Sequence, residues 1–104
     1  MPRLYVVVRQ DLSPGLQAAQ AVHAAIGFAL AHPELLPDTV IVVGVPDVLA
    51  LAWLCDGARA FAKFCVYEPD LGDSLTAVAL EPGAGHLCSH LPLLLREVPT
   101  PVAQ

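Results

Sequence analysis

Residues 4–30 read LYVVVRQDLSPGLQAAQAVHAAIGFAL, and the change of pattern within them decides the fold. Leu4–Val8 is β-branched and aromatic, which favours a strand. Asp11, Ser13, Pro14 and Gly15 then supply the punctuation of a turn. Beyond it, Leu16, Ala19, Ile26 and Leu30 recur at helical spacing in an alanine-rich run. The polar members of that run, Gln17, Gln20 and His23, stand three residues apart. At about 100° per residue they drift down one flank of a helix, where Gln20 and His23 are neighbours. Open α/β sheets place their sites where a strand's C-terminal end feeds a helix N-terminus. The first candidates for function therefore come from this junction.

Working outward, strand one is expected over Arg3–Arg9 and the helix from Pro14 or Gly15 to His32. Pro14 is tolerated in the first helical turn, where its missing N–H has no partner to lose. Pro33 and Pro37 bracket the loop that ends the helix. Thr39–Val45 (TVIVVGV) is apolar on both faces, the pattern of a central strand covered from each side. Pro46 and Asp47 open a second helix, expected through VPDVLALAWLCDGARAFAK. It is apolar almost all round, so one side should meet the sheet and the other a neighbour. Phe64–Tyr67 reads as a third strand, Glu68–Asp73 as an acidic turn and Leu75–Leu80 as a fourth strand. Pro82, Gly83 and Gly85 break the chain before an expected last helix, His86–Arg96, and a loose or strand-like tail. The order β-α-β-α-β-β-α implies an α/β domain: three α/β/α layers around a mixed four-stranded sheet.

Composition sets bounds. A chain of 104 residues is expected to form a single domain, 1–104, with one core. Its residues are 56% hydrophobic and only 14% charged, which is more apolar surface than so small a core can hide. Burial in a homodimer is the simplest remedy. No apolar run approaches the roughly 20 residues that span a bilayer, and Met1-Pro2-Arg3 leads straight into a strand. The expectation is a cytoplasmic protein without a membrane segment. Cys55, Cys65 and Cys88 are an odd count with no C-x-x-C pair, which fits a reducing compartment. The net charge of −5, with only Arg3, Arg9, Arg59, Lys63 and Arg96 as cations, weighs against a nucleic-acid partner.

Two blocks, Val8-Arg9-x-Asp11-Leu12 and Ala18-Ala19-Gln20-x-x-His23-Ala24-Ala25, stand in order across the strand-to-helix junction. In these the chain resembles the type 2 peptidyl-tRNA hydrolase family, whose opening reads V-R-x-D-L, a short loop, then A-A-Q-x-x-H-A-A. The family's Gly-Lys pair before the second block is missing; Gly15, Leu16 and Gln17 stand there, in a loop about two residues shorter. The family's D-A-G-x-T-Q region and later G-S-x-T are compressed into residues 68–76, where Thr76 aligns and either Glu68 or Asp70 matches the aspartate. His90-Leu91-Pro92-Leu93 echoes the family's closing G-H-L-K-L segment. The resemblance implies the same α/β architecture. It also implies hydrolysis of the ester between a peptidyl or N-blocked aminoacyl group and the tRNA 3′ end, with neither metal nor organic cofactor. A relative without activity, serving as a dimeric binding module, is the alternative, and the missing lysine and acidic charge favour it. Esterase chemistry on a small substrate without nucleic acid is a third.

Each candidate has two readings. His23 suits a general base for water attack, because imidazoles exchange protons near neutrality, and Gln20 would orient water or ester. Alternatively, both satisfy backbone groups at a packing contact. Arg9 would hold phosphate together with the helix start, where Gly15 and Gln17 would contact substrate. Otherwise Asp11 caps the turn while Arg9 pairs with it or with Glu68. Asp70 would assist His23, Ser74 and Thr76 would position the ester, and Gly72 with nearby N–H groups would serve the oxyanion. The plain alternative is a turn, in which Asp, Gly and Ser are expected anyway. His86, Cys88 and His90 cannot share one ion on a helix, since Cys88 points away from the histidines. Cys55 and Cys65 read as buried structural thiols, and Trp53 as core or interface.

Overall fold

In the computed structural model, which describes residues 2–95, β1 (Arg3–Arg9) is followed by α1 (Pro14–Ala31), β2 (Thr39–Val45), α2 (Val48–Gly57), β3 (Lys63–Glu68) and β4 (Ser74–Leu80). One-turn 310 segments occupy Pro33–Leu35 and Pro69–Leu71, and a longer one Pro82–Leu87. The sheet order is β2-β1-β4-β3. β1 lies parallel to β2 and antiparallel to β4, which is antiparallel to β3. The mixed four-stranded α/β fold expected from the element order is the observed one.

Alternation along β1 divides the interior into two layers. Leu4, Val6 and Val8 face α1 and pack against Ala21, Ala24 and Phe28, with Val66, Ala77 and Ala79 from the neighbouring strands. Tyr5 and Val7 face the other way and meet Leu51 of α2, Ala84, Cys88, Val78 and Leu80. The small residues of α1 permit its close approach to the sheet: a Cβ added at Gly27 would overlap the Phe64 ring. Asp47 starts α2 by accepting the Ala50 N–H at 2.9 Å.

Three expectations are corrected. First, β2 is an edge strand, and β1 and β4 are central. Its apolar character is explained by its flank: Gly44 N–H donates to the Pro92 carbonyl, Leu94 N–H to Val42, and Val43 bridges Leu93. The segment around 92–94 thus covers that edge. Second, α2 stops at Gly57, because Ala58 N–H closes the last turn on Leu54 and Cys55 and Phe61 N–H turns back to Ala58. Third, no α-helix forms from His86; the chain there is a 310 segment beginning at Pro82, followed by turns through Leu91. Gly83, Gly85 and Pro92 weaken helix in this stretch. Arg96, the end of the expected helix and the tail lie outside the described residues. Trp53 is also not core: it stands 82% exposed on the outer side of α2, beside exposed Leu49.

Candidate functional site

The C-terminal end of β1, the first turns of α1 and the β3–β4 connection meet at one end of the sheet. Gln20, 3% exposed, is the centre of a polar cluster there. Thr76 Oγ1 donates to Gln20 Oε1 at 2.8 Å, and Gln20 Nε2 donates to Glu68 Oε2 at 3.0 Å. Thr76 is where it is because of a bulge. Val66 pairs with Ala77 but Tyr67 pairs with Leu75, so Thr76 is the extra residue on β4. Its hydroxyl also lies 3.2 Å from the Val66 carbonyl. Among the described residues, no buried side-chain nitrogen or oxygen lacks a partner.

Arg9 forms a second cluster alongside. Its Nε and Nη2 fork onto the two carboxylate oxygens of Asp11, both at 2.9 Å. Its Nη1 donates to Ser74 Oγ at 2.8 Å and to the Leu75 carbonyl at 3.1 Å. The fork holds Asp11 below the usual carboxylate range and raises Arg9 still further. All three guanidinium nitrogens are therefore engaged, and the Arg9 side chain is only 12% exposed.

Other expected roles shift. Gln17 is buried, and its Nε2 donates to the carbonyls of Leu12 at 2.6 Å and Gln10 at 3.2 Å. It braces the β1–α1 loop and does not face out toward a substrate. Gly15 stands exposed at the helix start, with open space where a Cβ would be. Asp70 is exposed, and only its backbone N–H joins the site, donating to Glu68 Oε1 at 3.2 Å. Glu68, not Asp70, is the carboxylate brought to Gln20. The oxyanion role expected of the Gly72 loop fails on its geometry. Gly72 N–H donates to Pro69 at 3.1 Å and Asp73 N–H to Glu68 at 3.0 Å, so both donors are occupied. Gly72 and Asp73 take positive φ values of 67° and 58°, which turns the chain back into β4.

His23 is separated from this cluster. One turn beyond Gln20, it is exposed and lines a groove of about 480 Å³ between α1 and β3, with Ile26, Leu30, Phe64 and Tyr67. Among the described residues no lysine, arginine, aspartate or glutamate lines the groove. Lys63, the nearest cation in sequence, points to the carbonyls of Ala58 and Arg59, each at 3.4 Å. Among the described residues no group of three or more His, Cys, Asp or Glu is arranged to hold a metal ion.

The sequence left Glu68 and Asp70 as alternative matches for the carboxylate; extending the alternation of Phe64 and Val66 by one step puts residue 68 on the α1 face, which is the signal that selects Glu68. Fold and site together define a small α/β domain with a hydrogen-bonded polar junction where its first strand enters its first helix. The chain matches no model of a known protein family and no curated protein. Among the described residues no helix is long and apolar enough to cross a membrane.

Proposed function

We propose that this chain is an ester hydrolase of the peptidyl-tRNA hydrolase kind, cleaving the bond between a peptidyl or N-blocked aminoacyl group and the tRNA 3′ end. One observation carries the reading. Arg9, Gln20, Glu68, Ser74 and Thr76, scattered over the resembling segments, meet in two adjacent hydrogen-bonded clusters at the end of β1. In this reading His23 takes a proton from water as the water oxygen attacks the ester carbonyl. The tetrahedral intermediate then expels the ribose oxygen, which recovers that proton from the imidazolium, leaving a carboxylic acid and a free 3′ hydroxyl. Gln20 acts by position: Thr76 and Glu68 fix its amide, and the amide fixes the turn of α1 that carries His23. Asp70 and Ser74 border the approach. The protein works in the cytoplasm as a homodimer, which would cover exposed Leu49 and Trp53 on α2 and leave the His23 groove open.

A second reading, a binding module without catalysis, is favoured by the full engagement of Arg9 and by the charge of −5. Hydrolysis of a defined N-acetyl-aminoacyl-tRNA decides between them. The enzyme reading expects release of the N-acetyl amino acid above background and a loss of about 10²-fold or more in His23→Ala. Wild type at background overturns it in favour of the module. An active His23→Ala removes only the role given to His23.

A further inference from the structure

The two edges of the sheet are finished differently. The chain around Pro92 covers the outer side of β2, whereas β3 ends the sheet with no strand beyond it among the described residues. Backbone groups along an antiparallel strand point alternately toward its neighbour and away from it. The Ala62 carbonyl accepts from Glu81 N–H, the Val66 carbonyl from the Thr76 hydroxyl and the Glu68 carbonyl from Asp73 N–H. Even-numbered residues therefore face β4, and Lys63, Cys65 and Tyr67 turn outward. His32 Nε2 lies 3.3 Å from the Lys63 carbonyl, and Pro69 has no N–H to offer. The open part of the edge is thus Cys65 and Tyr67. The groove beside α1 runs along it. One wall is four consecutive residues, 64–67, whose side chains alternate between the two faces, so the groove reaches the strand's own backbone. The other wall is His23, Ile26, Gly27 and Leu30, one face of α1. At about 1.5 Å per helical residue and about 3.3 Å per strand residue, each wall is about 10 Å long, the length of three extended residues. Gln20 bonds Glu68 and His32 meets Lys63, so α1 runs antiparallel to β3 and His23 stands toward the Tyr67 end.

We propose that the peptidyl part of the substrate binds here as a short strand added parallel to β3, with the apolar side chain of its penultimate residue in the groove. The assignment of this peptide as substrate rests on the ester-hydrolase reading. Direction follows from the chemistry: the ester is at the peptide's C-terminal end and has to meet His23, so the peptide runs as β3 does, toward Tyr67. In a parallel pair one residue bridges two on its neighbour. The residue opposite Val66 would donate its N–H to the Cys65 carbonyl and accept from Tyr67 N–H, and the carbonyl two positions earlier would accept from Cys65 N–H. Val66 packs on the α1 side of the sheet. The side chain of the residue opposite it therefore points the same way, in among Ile26, Leu30 and Phe64. The groove, of about 480 Å³, has no charged lining residue. A charged side chain entering it would lose water and gain no partner. Main-chain bonds are the same for every peptide, so the edge accepts varied sequences while the groove refuses charge at one position. A second copy of the chain on this edge would close the groove over His23, whereas a peptide leads its ester to it.

The probe is the uncharged peptide acetyl-Ala-Leu-Ala-amide, and the readout is amide hydrogen exchange of the nitrogen-15-labelled full chain. At about ten times its dissociation constant the peptide should slow exchange at Cys65 and Tyr67 by about tenfold, because only the unbound fraction exchanges. At the same concentration, the peptide methylated on the leucine nitrogen, or carrying glutamate in place of leucine, should slow them by less than about twofold. Tyr67→Pro removes one outward donor without touching the ladder to β4, and should weaken binding of the parent peptide by about tenfold. Should that variant not fold, the comparison of the three peptides on wild type still decides. Equal protection by the N-methyl peptide, or none by the parent, would overturn the proposal. So would protection of both amides that rises with protein concentration alone, since a second copy would then hold the edge. In hydrolysis, acetyl-Ala-Leu-Ala-tRNA should be cleaved with a kcat/KM about tenfold or more above that of acetyl-Ala-Glu-Ala-tRNA. Exchange needs no catalysis, so the two failures separate. Protected amides with neither ester cleaved would remove the hydrolase reading and keep the strand site; cleavage with neither amide protected would remove the strand site and keep the hydrolase.

Discussion

Replacing Thr76 by valine keeps the shape of the side chain and removes one hydroxyl. Thr76 is fully buried and Gln20 almost so, so water cannot take the lost donor's place. Gln20 Oε1 then becomes a buried acceptor without a partner, which costs about 1–3 kcal/mol. Taking about 2 kcal/mol and a urea slope of roughly 2 kcal/mol per molar, the unfolding midpoint should fall by about 1 M with the slope unchanged. Gln20→Leu should be milder, because the groups it leaves behind have other partners. The Thr76 hydroxyl can turn to the Val66 carbonyl at 3.2 Å, and Glu68 keeps the Asp70 N–H at 3.2 Å. In the double variant neither the hydroxyl nor the amide remains, so its cost should be smaller than the sum of the two by about 1 kcal/mol. Urea titrations followed by far-ultraviolet circular dichroism measure all four corners of the cycle. A Thr76→Val chain within about 0.5 kcal/mol of wild type, or two costs that simply add, would refute the sealed network.

Gly27→Ala sets two effects against each other. The added methyl overlaps the Phe64 ring, an overpacking cost of about 2 kcal/mol, while alanine's helix preference returns about 1 kcal/mol. A net fall in Tm of about 4–8 °C is expected, and an unchanged or higher Tm would show that Phe64 moves away freely. Asp11 predicts an acid-side effect. Its folded pKa lies below the ordinary 3.8 because of the Arg9 fork, so its contribution is present above 3.8 and is lost as pH falls through the lowered folded value. With 41% of the Asp11 side chain exposed, solvent screening limits that contribution to about 0.5 kcal/mol. Urea midpoints of wild type and Asp11→Asn should therefore differ at neutral pH and converge as the pH falls through the lowered folded value, below 3.8. A gap that persists in acid would assign the effect to something other than charge.

How much of this was legible depended on whether the signal was local. The spans of β1 and β2 follow from unbroken β-branched runs, and the residues expected, Arg3–Arg9 and Thr39–Val45, are those observed. The α1 boundaries follow from Pro14 on one side and Pro33 on the other. Where apolar residues lie all round, as in α2, no periodicity remains to mark an end, and the helix was expected six residues too long. Whether β2 is central or at an edge is invisible for a related reason. Burial by a helix and burial by the returning chain near Pro92 select the same side chains. At the site, Gln20, Thr76 and Arg9 were found through the family-like motif, and the pairing of Arg9 with Asp11 through their spacing. The Gly72 loop was misread because turn residues say nothing about which N–H groups the turn itself consumes.

The two clusters at the junction constrain what any ligand can do there. Gln20 has a partner on each amide atom, and its companions are a buried hydroxyl and a carboxylate already capping the turn at Pro69. A substrate cannot recruit it without breaking a bond in a nearly dry place, where the loss is greatest. Arg9 differs. Its Ser74 and Leu75 contacts leave through Nη1 alone, whereas Nε and Nη2 form a planar fork on an exposed carboxylate. A phosphate offers the same two-oxygen geometry as that carboxylate. An anion entering here would therefore take the place of Asp11 while the Nη1 contacts still hold the guanidinium in line with the start of α1. Asp11 would then reconcile the net charge of −5 with an anionic ligand: it occupies the fork here and would swing into solvent if an anion took its place. Gln20 sets the geometry of the junction, and the Arg9 fork is the part of it that an anion could enter without breaking a buried bond.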